Sequence, residues 1–391
     1  MPPRRVMLIA GEASGDLLAA ELVGALRESL DAGGEKGEFF GAGGPIMKSA
    51  GVELAFDMTA HAVIGLDALR HYAKFKQLAR ALLELAFARK PDVIVCVDFS
   101  GFNRRFARAV RNRASAAWRP KIVQYVSPQV WASREGRAYR MARDYDLLLA
   151  IFPFEKAWYA ARVPQFKVEF VGHPILDRHR EWRERVAHKT AAVSNPARVV
   201  LLPGSRVGEL KRHLPVMLKA ATMIGAQTQV QCKMVLPNPE LLDYVRQFTS
   251  AEFSVDARSD GLAEALFDAD LAIASTGTVT LECAFFRVPT VALYKTSWVT
   301  FQIGKRIVRV QYLAMPNLLA NERVFPEFVQ QDATAANIAR EALDLLQNQP
   351  RRKAIHDQLD RVIELLGQPG ASRRAGELIA KLLTGRPTGA P

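Results

Sequence analysis

"DLAIASTGTVTLECAFFRVPTVALY", residues 270–294, is the stretch whose reading decides the fold. Two short runs of apolar, small and β-branched residues, 270–275 and 290–294, flank a helical pattern, which is the signature of a β–α–β unit in a parallel sheet. Between the first run and the helix stand Ser275, Thr276, Gly277 and Thr278. A helix start exposes unsatisfied N–H donors at the positive end of its dipole, so small hydroxyl residues and a glycine at that point make an anion site. Glu282 falls one turn beyond Thr278 on the same face, placed to accept hydrogen bonds from a ribose diol while the amides hold phosphate.

The same rhythm runs outward in both directions. In the first half the strand-like runs are 5–10, 92–98, 121–126, 146–151 and 167–172; in the second they are 198–204, 232–237, 270–275 and 290–294. Between them, after His173-Pro174, lies a polar and charged stretch that reads as a linker with a short helix. Two Rossmann-like α/β domains in tandem follow, 1–175 and 176–349, with parallel sheets facing an interdomain cleft and ligands beyond the carboxyl ends of the strands. From about residue 334 the pattern is purely helical. A chain of 391 residues, 49% hydrophobic and 24% charged, is long enough for two cores.

The three cysteines, Cys96, Cys232 and Cys283, are too few and too scattered for a disulfide framework or a zinc site, so a reducing compartment is expected. The N-terminal apolar run is too short for a secretory leader, and no stretch approaches the ~20 apolar residues of a spanning helix. A net charge of +13 favours an anionic partner. Nucleic acid is disfavoured, because no basic stripe coincides with a recognised DNA or RNA motif.

Each strand end carries a candidate group. After the first run, "GEASGD" offers Gly11 and Gly15 for a tight backbone approach and Ser14 and Asp16 as helix caps; Glu12 and Asp16 repel pyrophosphate, so the loop suits an acceptor sugar or is simply a capped turn. Asp98 ends a buried apolar run, where partial desolvation raises a carboxylate pKa and improves it as a base; the equal alternative is a cap for the next helix. In "YVSPQVWAS", Ser127 and Trp131 stand at a Pro-fixed turn, and the indole either stacks on a ligand or packs in the core. His173 either donates to a ligand or is a hinge histidine held by backbone. In "LLPGSRVGEL", Gly204 and Ser205 form the turn and Arg206 opens the helix, where a guanidinium beside free amides suits two phosphates; the alternative is a surface ion pair with Glu209.

Two basic amphipathic segments remain. Leu66, Leu69, Tyr72, Phe75, Leu78, Leu82 and Leu85 keep helical spacing among Arg70, His71, Lys74, Lys76 and Arg80; Trp298, Phe301 and Ile307 do so among Lys305, Arg306 and Arg309. Both fit an anionic membrane surface or a core-facing helix with a solvated basic side.

Taken in order, "GEASGD", "GAGGPIM", "YVSPQVWA", "FPFEKAWY", "GHP", "LLPGSR" with Glu209, "STGTVTLE" and "MPNLLA" strongly resemble the lipid-A-disaccharide synthases, from about residue 5 to about 385. The resemblance implies a GT-B glycosyltransferase whose C-terminal helices, about 350–391, return to the N-terminal domain. It implies an inverting transfer of diacylglucosamine from its UDP derivative to the 6-hydroxyl of diacylglucosamine 1-phosphate, without metal or cofactor, by a cytoplasmic enzyme bound peripherally to the inner membrane. By position it assigns Asp98 as base, Arg206 and Ser275–Thr278 to the diphosphate, Glu282 to the ribose, and Asn317 of "PNLL" to the donor side. This chain departs from the family in two places: Gly101 stands where a second acid is usual, and Ser133 where a Trp follows "VWA". Both departures bear on the acceptor. The alternatives are a related enzyme with another lipid or sugar acceptor, a UDP-sugar epimerase or hydrolase on the same scaffold, and a silent sugar-nucleotide binder.

Overall fold

A computed structural model describes residues 2–58, 68–246 and 255–385. The chain divides into two compact units, one running to Asp177 and resuming at Leu366, the other Arg178–Leu365.

Among the described residues the first unit is built on seven strands: β1 (Arg4–Ala10), β2 (Gly37–Gly43), β3 (Glu53–Asp57), β4 (Val93–Val97), β5 (Lys121–Tyr125), β6 (Leu147–Ala150) and β7 (Val168–Phe170). Their order in the sheet is β3-β2-β1-β4-β5-β6-β7, with parallel pairing throughout. The second unit has six, β8 (Ala197–Leu202), β9 (Val230–Val235), β10 (Asp256–Arg258), β11 (Leu271–Ser275), β12 (Thr290–Tyr294) and β13 (Glu327–Val329), ordered β10-β9-β8-β11-β12-β13 and also parallel. Central strands such as Val93–Val97 are buried at every position, because helices cover both faces of the sheet.

All nine strands expected from sequence are present. Four were not legible. β2, "GEFFGAG", is rich in glycine, while β3, β10 and β13 are short sheet-edge strands whose exposed or half-exposed positions blunt the apolar signal. The supposed linker is ordered within the second unit, where Trp182 is buried against Phe267 and Phe286.

The return to the first unit starts at Leu366, not near residue 350. Helix Gln349–Leu365 packs on helices Val279–Phe285 and Met315–Ala320 of the second unit. Helix Ala371–Thr384 alone lies on Ala13–Ala32; a Cβ at Gly376 would stand 2.8 Å from the backbone of Ala25 and Leu26, so glycine sets how closely the two helices approach. Asp177 anchors that helix by accepting from the Gly370 and Ala371 amides. The three thiols are buried, which pushes Cys96 and Cys283 up to about 12 and Cys232 to about 11, so they pack as apolar groups.

Candidate active site

In an open parallel sheet, the loops that part to either side of the point where strand order reverses leave a crevice at the carboxyl edge. In the first sheet that point lies between β1 and β4, which pair through Ala10 and Val97. The loops that follow carry Gly11–Asp16 and Asp98–Ser100. In the second sheet it lies between β8 and β11, paired through Leu202 and Ala274, and the loops that follow carry Gly204–Glu209 and Ser275–Thr278. Within each unit the tertiary structure therefore sets two turns side by side, about 90 residues apart along the chain in the first unit and about 70 in the second.

Asp98 and Phe99 both take left-handed backbone, φ 45° and 39°. Such non-glycine conformations cost of order 1 kcal/mol each and persist only where the surroundings enforce them. Here the Asp98 N–H donates to the Tyr125 carbonyl at 2.9 Å, and its own carbonyl accepts from Asn103 Nδ2 at 2.9 Å and Gln124 Nε2 at 3.1 Å. Helix Ser100–Arg113 starts with no side-chain cap, so the cap alternative for Asp98 does not hold. Its half-buried carboxyl is raised above the ordinary aspartate range, chiefly by desolvation and next by the charge of Glu12, while the Phe99 amide opposes the shift. Gly11 makes room for this loop, since a Cβ there would fall 2.2 Å from the Phe99 ring.

Asp16 does not cap its own helix. It is 1% exposed, and its carboxylate accepts from the amides of Gly44, Ile46 and Met47, fixing the start of helix Pro45–Ser49. Ser14 is exposed beside half-buried Glu12, and Gly15 lies within ordinary contact of Ala10. Trp131 is in the core: its Nε1 donates to Glu155 Oε1 at 2.9 Å and its ring meets Phe154 edge-on. Ser127 lies 3.3 Å from the Tyr159 hydroxyl. His173 Nδ1 accepts from the Ile175 amide, and the backbone N–H of His173 donates to the Leu366 carbonyl.

Glu155, not singled out from sequence, is fully buried, and burial pushes it up to about 7 against the hydrogen bonds from Trp131, Phe152 and Ser127. With the folded value raised from 4.5, its contribution to stability is full below about pH 4.5 and is lost as pH rises through about 7. Thermal midpoints between pH 5 and 8 are expected to fall less steeply in Glu155→Gln than in the parent; parallel curves would refute this assignment.

In the second unit Gly204 takes φ 123° and leaves no room for a Cβ, which would meet Glu209 Oε2 at 2.5 Å. Glu209 reaches back to accept from the Ser205 amide at 2.9 Å and from Arg206 Nη1 at 3.4 Å. The surface-pair geometry for Arg206 is thus the one present, with the side chain 69% exposed. Buried His213 ties the two sides of this sheet edge together: Nδ1 is bonded to the Pro203 carbonyl at 2.8 Å, and Nε2 accepts from the Lys295 amide at 3.0 Å. Burial lowers its pKa, in keeping with a neutral ring that donates on one side and accepts on the other.

Ser275 is buried, Thr276 and Gly277 are half-buried with Gly277 at φ 128°, and Thr278 is exposed at the start of helix Val279–Phe285. Thr280 Oγ1 donates to the Gly277 carbonyl at 2.7 Å and accepts from the Met315 amide, fixing the turn from behind. Glu282 is 7% exposed, and its carboxylate is bonded to His179 and to Arg178 Nη1. Neither partner was found from sequence, because they lie just over 100 residues away in what read as a linker. Asn317 has no exposed surface: Nδ2 donates to the Phe325 carbonyl and Glu327, and Oδ1 accepts from the Phe325 amide. The expected donor contact is replaced by a clamp on the chain between residues 317 and 327.

Solved structures share this architecture at low identity. The UDP-GlcNAc 2-epimerase from Neisseria meningitidis, bound to UDP-GlcNAc, superposes with a TM-score of 0.61 at 10% identity over 96% of this chain and 100% of that one. MurG from Acinetobacter baumannii gives 0.55 at 15% identity over 97% and 100%. Two doubly wound domains of this kind make up the GT-B fold. Residues 6–382 match the lipid-A-disaccharide synthetase family, and the lipid-A-disaccharide synthase of Geobacter metallireducens is 36% identical over 389 residues, 98% of each chain. The chain belongs to the lipid-A-disaccharide synthetase family.

Proposed function

We propose that this protein joins two acylated glucosamines, transferring diacylglucosamine from UDP to the 6-hydroxyl of diacylglucosamine 1-phosphate with inversion and release of UDP. Family membership across nearly the whole chain carries the reading, and the two turns at the β8/β11 switch point support it. Asp98 takes the proton of the attacking hydroxyl as the new C–O bond forms; the bond from the anomeric carbon to the diphosphate breaks, and its electron pair leaves with UDP. Arg206 leaves Glu209 to join the amides of Gly277 and Thr278 on that diphosphate, relieving the charge that develops. Glu282, oriented by Arg178 and His179, accepts from the ribose. Asn317 acts through position, holding the chain beside Thr280. The first unit takes the acceptor and the second the donor, with Glu12 and Ser14 beside the acceptor and Asp16, Ser127, Trp131 and His173 shaping its loops.

No helix among the described residues is long and apolar enough to cross a membrane. Helix Trp298–Ile307 presents Trp298 and Val299, 67% and 60% exposed, with exposed Lys305 and Arg306, which supports peripheral docking on an anionic bilayer. Residues 59–67, and the side chains of 68–75, which include much of the other amphipathic segment, lie outside the described residues; Leu82 from its later part is buried in the core.

Incubation with a UDP-diacylglucosamine donor and a phosphorylated acylated glucosamine is expected to yield disaccharide and UDP by mass analysis. A 2-epimer or free sugar with no disaccharide would favour the epimerase or hydrolase alternative. Arg206→Ala is expected to weaken UDP binding by about 1.5–3 kcal/mol, roughly 10- to 150-fold in Kd, by calorimetry. The lower end is expected because Arg206 gives up its bond to Glu209 on binding; unchanged affinity would remove it from the diphosphate site.

A further inference from the structure

Beyond Asp98, the same edge of the first sheet carries a group of arginines that pair with no carboxylate among the described residues. Arg104 lies on helix Ser100–Arg113, and its Nε donates to the Ser100 carbonyl at 3.1 Å, which draws the side chain back towards the loop that carries Asp98. The loop after Trp131 adds Arg134, held at φ 60°. Helix Arg137–Asp144, which packs on Ser100–Arg113, adds Arg137 and Arg140. Arg104 and Arg137 are half-buried, whereas Arg134 and Arg140 are exposed.

The acid within this segment, Glu135, pairs with Arg162 at 3.6 Å. Among the described residues none of the four arginines forms an ion pair. Burial lowers the pKa of Arg104 and of Arg137; Tyr145 opposes the shift at Arg104, while the charges of Arg134 and Arg140 add to it at both. Like charges gathered and partly desolvated with no counter-ion raise the energy of the free protein, and a bound anion removes that cost. The two departures from the family fall in this region, Gly101 in the first turn of helix Ser100–Arg113 and Ser133 in the loop after Trp131. Gly101 leaves the Asp98 loop without a second carboxylate and has open space where a side chain would be, and Ser133 puts a small hydroxyl residue beside Arg134.

We propose that Arg104, Arg134, Arg137 and Arg140 form the subsite for the phosphate monoester of the acceptor, an inference that rests on the transfer reading above. Planar guanidinium forks match a phosphate's oxygens in pairs, and the half-buried members favour a compact dianion over a diffuse charged surface. Arg104 Nε is bonded to the Ser100 carbonyl, two residues beyond Asp98, so phosphate held by this group lies next to the loop of the base and the hydroxyl end of the acceptor falls towards Asp98.

The test is the double variant Arg134→Gln/Arg140→Gln, both positions exposed so that folding is not at stake. Its KM for the acceptor 1-phosphate is expected to rise at least tenfold, while its donor KM and its rate with a 1-O-methyl acceptor lacking phosphate match the parent. Calorimetry with glucosamine 1-phosphate, without donor, is expected to show binding to the parent and at least tenfold weaker binding to the variant. Equal losses with both acceptors, or no loss, would overturn the proposal. So would unchanged acceptor KM with loss of sedimentation on phosphatidylglycerol vesicles, which would assign the cluster to the membrane surface. If the parent makes no disaccharide yet binds glucosamine 1-phosphate through these arginines, the transfer reading fails and the anion subsite stands.

Discussion

Asp98→Asn is expected to lower kcat by roughly 10²–10⁴-fold, the usual contribution of a positioned general base, with Kd for UDP unchanged. The side chain is isosteric, so Gly11, Phe99 and the backbone bonds to Asn103 and Gln124 remain in place. Stability is expected to hold or rise. A carboxyl raised in the folded state contributes stability that is full below its unfolded pKa and lost as pH climbs through the folded value, so at neutral pH the ionised group is a burden that Asn removes. The parent's kcat/KM is expected to fall on the acid side at a higher pH than an unperturbed aspartate gives, and a catalytically silent binder would instead be indifferent to the substitution. Full activity in Asp98→Asn would remove the base from this site.

Gly11→Ala tests the same loop through its neighbour. The new methyl would stand 2.2 Å from the Phe99 Cδ1, far inside contact distance, so the ring, which stacks on Phe102, must shift, and the left-handed pair Asp98-Phe99 is expected to shift with it. Overpacking of this kind costs about 1–3 kcal/mol, and a displacement of the base by about 1 Å lowers turnover by roughly 10²-fold. UDP binding is expected to be untouched, because the β8 and β11 turns belong to the other compact unit. Denaturant midpoint, kcat and UDP affinity, measured together, decide it: loss of the first two with retention of the third is the expected pattern. A variant with parental turnover would show that Phe99 does not hold Asp98.

What sequence reading could reach depended on how local the signal was. Buried central strands read clearly because both faces are apolar, whereas the edge strands β3, β10 and β13 pair on one side only and expose side chains that mask them. The turns after β1, β4, β8 and β11 were legible for the same reason: a strand must end, and the residues that end it carry small side chains, hydroxyls or charge. The fate of the individual groups was not. Trp131 and Asn317 look like ligand contacts in the chain and are consumed by Glu155, Phe325 and Glu327 in the fold. Arg178 and His179 looked like linker and orient Glu282.

By itself, the sequence determined the alternation of strand and helix, the two-domain α/β class and the chemistry present at each strand end, since these follow from periodicity and from residue type at a terminus. Only the tertiary structure decided which strand ends are neighbours. The order β3-β2-β1-β4 brings Glu12 beside Asp98, and β9-β8-β11-β12 brings Gly204 beside Ser275. Sheet order is set by which crossovers pack their helices on which face, a contest among contacts distant in the chain, and it alone turns separate polar turns into a site with shared fields and shifted pKa values.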